Sequence, residues 1–255
     1  EQALSALGVI SGMAMPLLLL PVALVSSVCT ALLPAITAAQ AVGSSERVRG
    51  LIGRAISTVG LIGVPATAVL VPLAPRLSEL FFRQPLTAEY VTLLGAVAIV
   101  SYYQMTSGSL LNALGLQHIN VVTAVSAELC QLFLLYRWCA SPRLGIYGYL
   151  LAMLLTDTIA FTVNLCVLRC RSGFACKPLR RFGVPALCGA ALFLWTRIFF
   201  RVFQDVCRTE AAALMLTVLG AGVLYVLVLR LMGIRLLRYL SRRIERPQLP
   251  HPCMW

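Results

Sequence analysis

Acidic side chains are scarce in this sequence. Nine aspartates and glutamates stand among 255 residues, and charged residues of either sign make up 12%. A soluble domain needs roughly a quarter of its residues charged to keep its surface hydrated, so a water-soluble globular fold is excluded. Lysine is nearly absent: Lys177 stands alone against twenty arginines. No glycine-rich loop leads into a lysine, which removes the support for ATP use. Histidine is equally thin, with His118 and His251 both outside the apolar segments. The acids form none of the D-x-x-D clusters that would hold a metal on a phosphate group. Catalytic constellations are therefore missing. No metal centre and no cofactor are expected, and a membrane-embedded enzyme of lipid or glycan synthesis is the weaker alternative.

Cysteine is present nine times, yet the spacing argues for no site. Cys29, Cys130, Cys166 and Cys188 lie inside apolar runs, where a thiol acts as a small hydrophobe. Cys166, Cys170 and Cys176 have no histidine nearby and no paired C-x-x-C spacing. No secretory leader is recognisable, and the chain starts Glu1-Gln2-Ala3 without an initiator Met. That points to a processed, truncated or partial chain.

What the sequence has in abundance is apolar length. Sixty per cent of the residues are hydrophobic, gathered in blocks of twenty or more. About 20 apolar residues in a helix cross a hydrocarbon core of about 30 Å. An all-α integral membrane fold is expected, with about seven spans at roughly 9–40, 52–80, 88–114, 119–139, 145–168, 182–203 and 210–232.

The net charge of +12 comes from arginines between and beside these blocks. That placement sets topology and meets anionic lipid headgroups; it does not read as nucleic-acid binding. Seven basic residues fall on the side holding the N-terminus and fourteen on the other. The positive-inside rule then puts the N-terminus outside and the C-terminus in the cytoplasm. An extracellular start without a preceding span is a second hint of missing upstream helices. From Arg230 to Arg246, leucines, Ile234, Tyr239 and Ile244 alternate with arginines at roughly helical spacing. Such a segment lies on the cytoplasmic leaflet, each arginine contributing about 1 kcal/mol near anionic lipid.

Span one carries Pro16, Pro21 and Pro34, and span two carries Pro65, Pro72 and Pro75. An interior proline removes a backbone donor, and in lipid the freed carbonyl must find another partner. Bent helices beside a cavity are one reading, with Pro16, Pro21 and Pro65 as kink candidates. The ordinary frequency of proline in membrane helices is the other.

Only Glu128 and Asp157 put a carboxyl deep inside the apolar blocks. Insertion of such a charge costs at least about 2.5–3.5 kcal/mol, so the default reading is a transport path, a proton relay or a buried ion pair. Glu128 precedes the predicted turn near Pro142 by 14 residues and Asp157 follows it by 15. Both then lie some 20 Å deep on consecutive antiparallel helices. No arginine or lysine occupies that depth in the predicted spans, so either the acids stay protonated or their partner lies outside this chain. A neutral carboxyl bonded across a helix interface, as with Gln131, is the plainer reading.

Span three carries Ser101, Gln104, Gly108, Asn112 and Gly115 on one helical face. Span five has a shorter stripe, Asp157 and Asn164. Small and amide residues on one face either pack helices tightly or line a polar cavity. Gln104, Asn112 and Asn164 join the two acids as path candidates.

Several strings have a family likeness. G-M-A-M-P-L-L-L-L-P at 12–21, followed by A-L-L-P-A-I-T-A-A at 31–39, resembles the eighth helix of the stage V sporulation protein B family. S-S-E-R-V-R-G-L-I-G-R-A-I at 44–56 resembles the loop and helix that follow there. L-L-N-A-L-G at 110–115 is similar to the L-Q-G-L-G segment that closes the family's tenth helix. These are polysaccharide-biosynthesis-type flippases of the multidrug/oligosaccharidyl-lipid/polysaccharide exporter superfamily. The resemblance covers spans one to five, and the last two only by helix count.

The resemblance implies the C-terminal lobe of a two-lobe fold, helices eight to fourteen. Residues 1–203 would hold helices equivalent to eight to thirteen. Residues 204–246 would hold the last helix and a basic cytoplasmic tail, and 247–255 a disordered end. It implies a bacterial plasma-membrane exporter that moves a lipid-linked glycan or peptidoglycan precursor by alternating access. Its implied partners are that substrate, anionic lipids and an N-terminal lobe. A cation-coupled multidrug antiporter of the same superfamily is the alternative. Related lipid II flippases use arginines of the eighth helix in the cavity; here no arginine stands between Leu4 and Gln40, so that role is not carried over.

Overall fold

The computed structural model describes residues 15–82, 88–139, 145–174, 179–206 and 209–231, with Gly8 and Gly12. The basic segment after Leu231 and the end at 247–255 lie outside the described residues.

Long apolar stretches give long helices. They are α1 (Met15–Ala41), α2 (Ser45–Phe82), α3 (Ala88–Ala113), α4 (Gln117–Cys139), α5 (Gly145–Ser172), α6 (Val184–Val206) and α7 (Glu210–Leu231). A π-helical turn, Leu179–Gly183, leads into α6. Among the described residues there is no strand. The joints follow local chemistry. Gly43 and Gly115 take positive φ values of 71° and 73° in the tight α1–α2 and α3–α4 turns. Ser44 precedes the first turn of α2, its carbonyl accepting from Val48, and Glu46 sits where the helix dipole favours an acid.

The fold is an all-α, multi-pass membrane architecture. Six helices are long and apolar enough to cross a bilayer: all except α3. The predicted span at 88–114, here α3, is the one corrected: about seven spans were expected and six helices meet the requirement among the described residues. Its C-terminal half carries Ser101, Gln104, Thr106, Ser107, Ser109 and Asn112, which lower its hydropathy. α3 keeps this polarity because its neighbours enclose it. It touches α2 at Gly95 and Gly63, α1 at Thr106 and Leu114, and α5 at Ser101 and Ser107. Tyr102 and Leu111 are 1% and 0% exposed.

Pairings along the seams fix the helix directions. Cys29 meets Thr106 and Gln40 meets Leu114, so α1 and α3 run parallel. Ser101 meets Asp157 and Ser107 meets Asn164, so α3 and α5 also run parallel, in constant register. Gly60 and Gly63 meet Tyr103 and Tyr102 in reversed order, so α2 is antiparallel to α3. The start of α2 and the end of α5 therefore share one end of the bundle. Arg76 and Glu210 mark the other, joined at 3.7 Å.

α2 is the hub, packing against α1, α3, α6 and α7. At about 1.5 Å per residue its 38 residues run about 57 Å, well beyond a hydrocarbon core. Pro65, Pro72 and Pro75 all lie inside it, and Pro21 and Pro34 inside α1. Pro16 is the second described residue of α1. Pro65 denies the Leu61 carbonyl its helical donor, and the Tyr225 hydroxyl of α7 donates to it instead. α4 has no buried residue and exposes Val121, Val125, Leu129, Leu132 and Phe133. That surface matches lipid tails rather than water. The expected division at 203 falls in the last turns of α6, and α7 packs on both α6 and α2.

Candidate functional site

The polar residues predicted from sequence meet where α3, α4 and α5 adjoin. α5 packs closely on both of the others, and it supplies the centre of the site. Asp157 lies near the middle of α5, half-buried, and Ser101 of α3 donates its hydroxyl to the Asp157 Oδ2. This is the contact across a helix interface that the plainer sequence reading describes, and no arginine or lysine takes part in it. The partner of Asp157 is a hydroxyl from two helices upstream.

Glu128 is the middle residue of α4, exposed on the bundle surface. The Gln131–Thr156 contact puts Glu128 within about one turn of the level of Asp157 on the neighbouring helix, in line with the hairpin arithmetic. Among the described residues neither acid has an ion-pair partner, since the two salt bridges both belong to Arg76. Gln131, one turn beyond Glu128, does bond across the helix interface. Its Oε1 accepts from Thr156 Oγ1 at 3.3 Å, and Thr156 adjoins Asp157.

A second polar rung lies two turns further along the same seam. Asn164 of α5 is 1% exposed, and its Nδ2 donates to Ser107 Oγ of α3 at 3.2 Å. The Ser107 hydroxyl itself donates to the Gln104 carbonyl at 2.7 Å. Asn164 Oδ1 is buried without a hydrogen-bond partner among the described residues. A bare amide oxygen in a low-dielectric seam costs about 1–3 kcal/mol.

The α3 stripe does not act as one face. Ser101 addresses α5, whereas Gly108 and Asn112 address α4. Asn120 Nδ2 donates to Asn112 Oδ1 at 3.0 Å, and Asn120 Oδ1 lies 2.8 Å from where a Cβ on Gly108 would stand. Asn112 thus belongs to the α3–α4 turn and not to the acid pair. Gln104 is half-buried between the two groups. Ser107, Thr156 and Asn120 were missed from sequence. Ser107 was readable, since it is seven residues before Leu114 and six beyond Ser101 on a helix already noted as polar.

On another flank of the α4–α5 contact lies a crevice of about 250 Å³. Val122, Ile159, Ala160 and Val163 give it apolar walls, and Thr123 and Ser126 add hydroxyls. Thr156 lines this crevice and also bonds to Gln131. The site therefore sets a polar seam holding the Asp157 carboxyl next to an apolar recess, with the Glu128 carboxyl exposed on α4. No group of three or more metal-ligating side chains occurs among the described residues. Cys166 and Cys170 are exposed on α5 as free thiols.

The architecture and this site define a polytopic α-helical membrane protein with mid-depth carboxyls. No family model, characterised protein or solved structure matches the chain.

Proposed function

We propose that this protein is a transporter of the bacterial plasma membrane that carries a lipid-linked glycan or peptidoglycan precursor across the bilayer. The observation that carries this reading is the placement of Asp157. It is held by Ser101 at mid-depth, at about the level of Glu128 on α4, with an apolar crevice on a neighbouring flank of the same helices. Two carboxyls at that depth, with no basic partner among the described residues, are a costly feature, and transport paths are the commonest reason for one. The polar seam suits a hydroxyl-rich headgroup, and the apolar recess suits the hydrocarbon tail attached to it.

The helices provide a way to move. α1 and α2 carry five interior prolines between them, and such helices bend where the ladder is interrupted. Alternating access by rocking against a second lobe follows from this reading, with the C-terminus in the cytoplasm. The sequence likeness at 12–21, 31–39 and 44–56 supports the same family of exporters. Glu128 and Asp157 also favour the cation-coupled antiporter reading, in which the pair exchanges protons or sodium.

A deletion strain separates these. The precursor-export reading expects lipid-linked precursor to accumulate on the cytoplasmic face. Normal precursor turnover with normal wall and cortex, joined to a changed drug susceptibility under a sodium or proton gradient, favours the antiporter instead.

A further inference from the structure

Both ends of the bundle carry arginines. At one end Arg76 is neutralised by Glu79 at 2.9 Å and Glu210 at 3.7 Å, while Arg137, Arg197 and Arg201 there form no ion pair among the described residues. At the other, Arg47, Arg49, Arg54, Arg169 and Arg171 form no ion pair among the described residues, where Glu46 is the one carboxylate. This end is where α2 begins and α5 ends, so its side chains stand at the level of lipid phosphates.

Two guanidiniums there are held in place. Arg49 donates from Nε to the Ser45 carbonyl at 3.2 Å and from Nη2 to Ser45 Oγ at 3.1 Å. Its Nη1 is 3.9 Å from the Cβ position of Gly173, the positive-φ residue ending α5. Arg181, on the π-helical turn, stacks 4.2 Å above the ring of Phe174 and packs onto Gly53. Arg49 thus reaches Gly173 and Arg181 covers the buried ring of the next residue, Phe174. Gly53 has no room for a side chain, because a Cβ there would lie 2.4 Å from Arg181 Nη2.

We infer that Arg49 and Arg181 form a discrete headgroup site for an acidic phospholipid of the surrounding bilayer. Arg49 uses Nε and Nη2 on its own helix and keeps Nη1 for a ligand. A guanidinium fixed in this way loses little side-chain freedom when it binds a phosphodiester, and its charge-assisted bonds are about twice as strong as neutral ones. Topology alone needs only basic residues at this end, in any arrangement. The Ser45 tether, the Phe174 stack and the Gly53 contact are more than topology needs. This site is separate from the polar seam, and its standing does not depend on the transported substrate.

The full chain, purified in detergent, is titrated with phosphatidylglycerol, phosphatidylcholine and inorganic phosphate, and bound lipid is counted by native mass spectrometry. Phosphatidylglycerol is retained about tenfold better than phosphatidylcholine, and inorganic phosphate does not displace it. Arg49→Gln lowers that retention about tenfold, whereas Arg47→Gln and Arg171→Gln change it by about twofold or less. Arg49 is exposed and its replacement spares the core, so it carries the test even where Arg181→Gln fails to fold. Equal retention of the two lipids overturns the inference, as does displacement by phosphate alone. Equal losses from Arg47→Gln and Arg49→Gln also overturn it, because a diffuse basic field would then suffice.

Discussion

Tyr225 on α7 donates its hydroxyl to the carbonyl of Leu61 on α2, the group that Pro65 strips of its helical donor. One helix thus repairs an interruption in another. In lipid the repair has to come from protein, since no water competes for the carbonyl. Tyr225→Phe leaves that carbonyl unpaired and costs about 1 kcal/mol of stability. Pro65→Ala restores the intrahelical bond and makes the hydroxyl dispensable. The double variant Tyr225→Phe with Pro65→Ala therefore loses less than the single Tyr225→Phe. Unfolding in mixed detergent micelles measures the cycle, and additive losses contradict the pairing.

Close helix contacts make a second test. A Cβ on Gly63 would lie 2.5 Å from Cδ2 of Tyr102, a ring buried in the core. Gly63→Ala must push that ring aside and costs about 1–3 kcal/mol. Gly50, on the same helix, has nothing within 4 Å. Gly50→Ala is neutral or stabilises by up to about 1 kcal/mol through helix propensity. Thermal unfolding of the two variants side by side shows whether α3 lies against α2 at this register.

The second polar rung separates packing from transport. Ser107→Ala removes the only partner of the Asn164 amide among the described residues and costs about 1–2 kcal/mol. Asn164→Leu with Ser107→Ala removes both polar groups and brings stability back near wild type. If the rung serves only to join helices, the double variant transports normally. The account expects it to fold normally and transport poorly.

Much of the architecture was legible in the chain, because apolar run length and bilayer thickness leave few choices. The predicted span at 119–139 is matched by α4 at Gln117–Cys139, whereas the segment at 88–114 is a helix with those bounds, α3, but not one apolar enough to cross. The start of α2 was placed at 52 but falls at Ser45, since Arg47 and Arg49 lower the hydropathy of its first turn. Ser44 and Glu46 were the capping signals that could have moved it. The end of α5 extends past 168 to Ser172, where Gly173 at φ 63° stops it.

Partners were less legible than elements. The equal depth of Glu128 and Asp157 follows from counting residues around a hairpin. The bond from Ser101 to Asp157 does not, because it depends on which helices become neighbours and how each is rotated. The α3 stripe shows the limit of periodicity. Its spacing groups these residues, yet Ser101 meets α5 whereas Asn112 meets α4. The Tyr225 bond spans 164 positions and has no local signature beyond Pro65 itself.

The most direct measurement is translocation of a fluorescent lipid-linked oligosaccharide in proteoliposomes containing the full chain and any second lobe encoded with it. Wild-type protein moves the lipid above the rate of protein-free vesicles. Asp157→Asn keeps the Ser101 contact and the fold, yet slows translocation at least about tenfold, because a mid-depth carboxyl is part of the path. A variant that translocates as fast as wild type contradicts the account, as does a wild-type protein no faster than lipid alone.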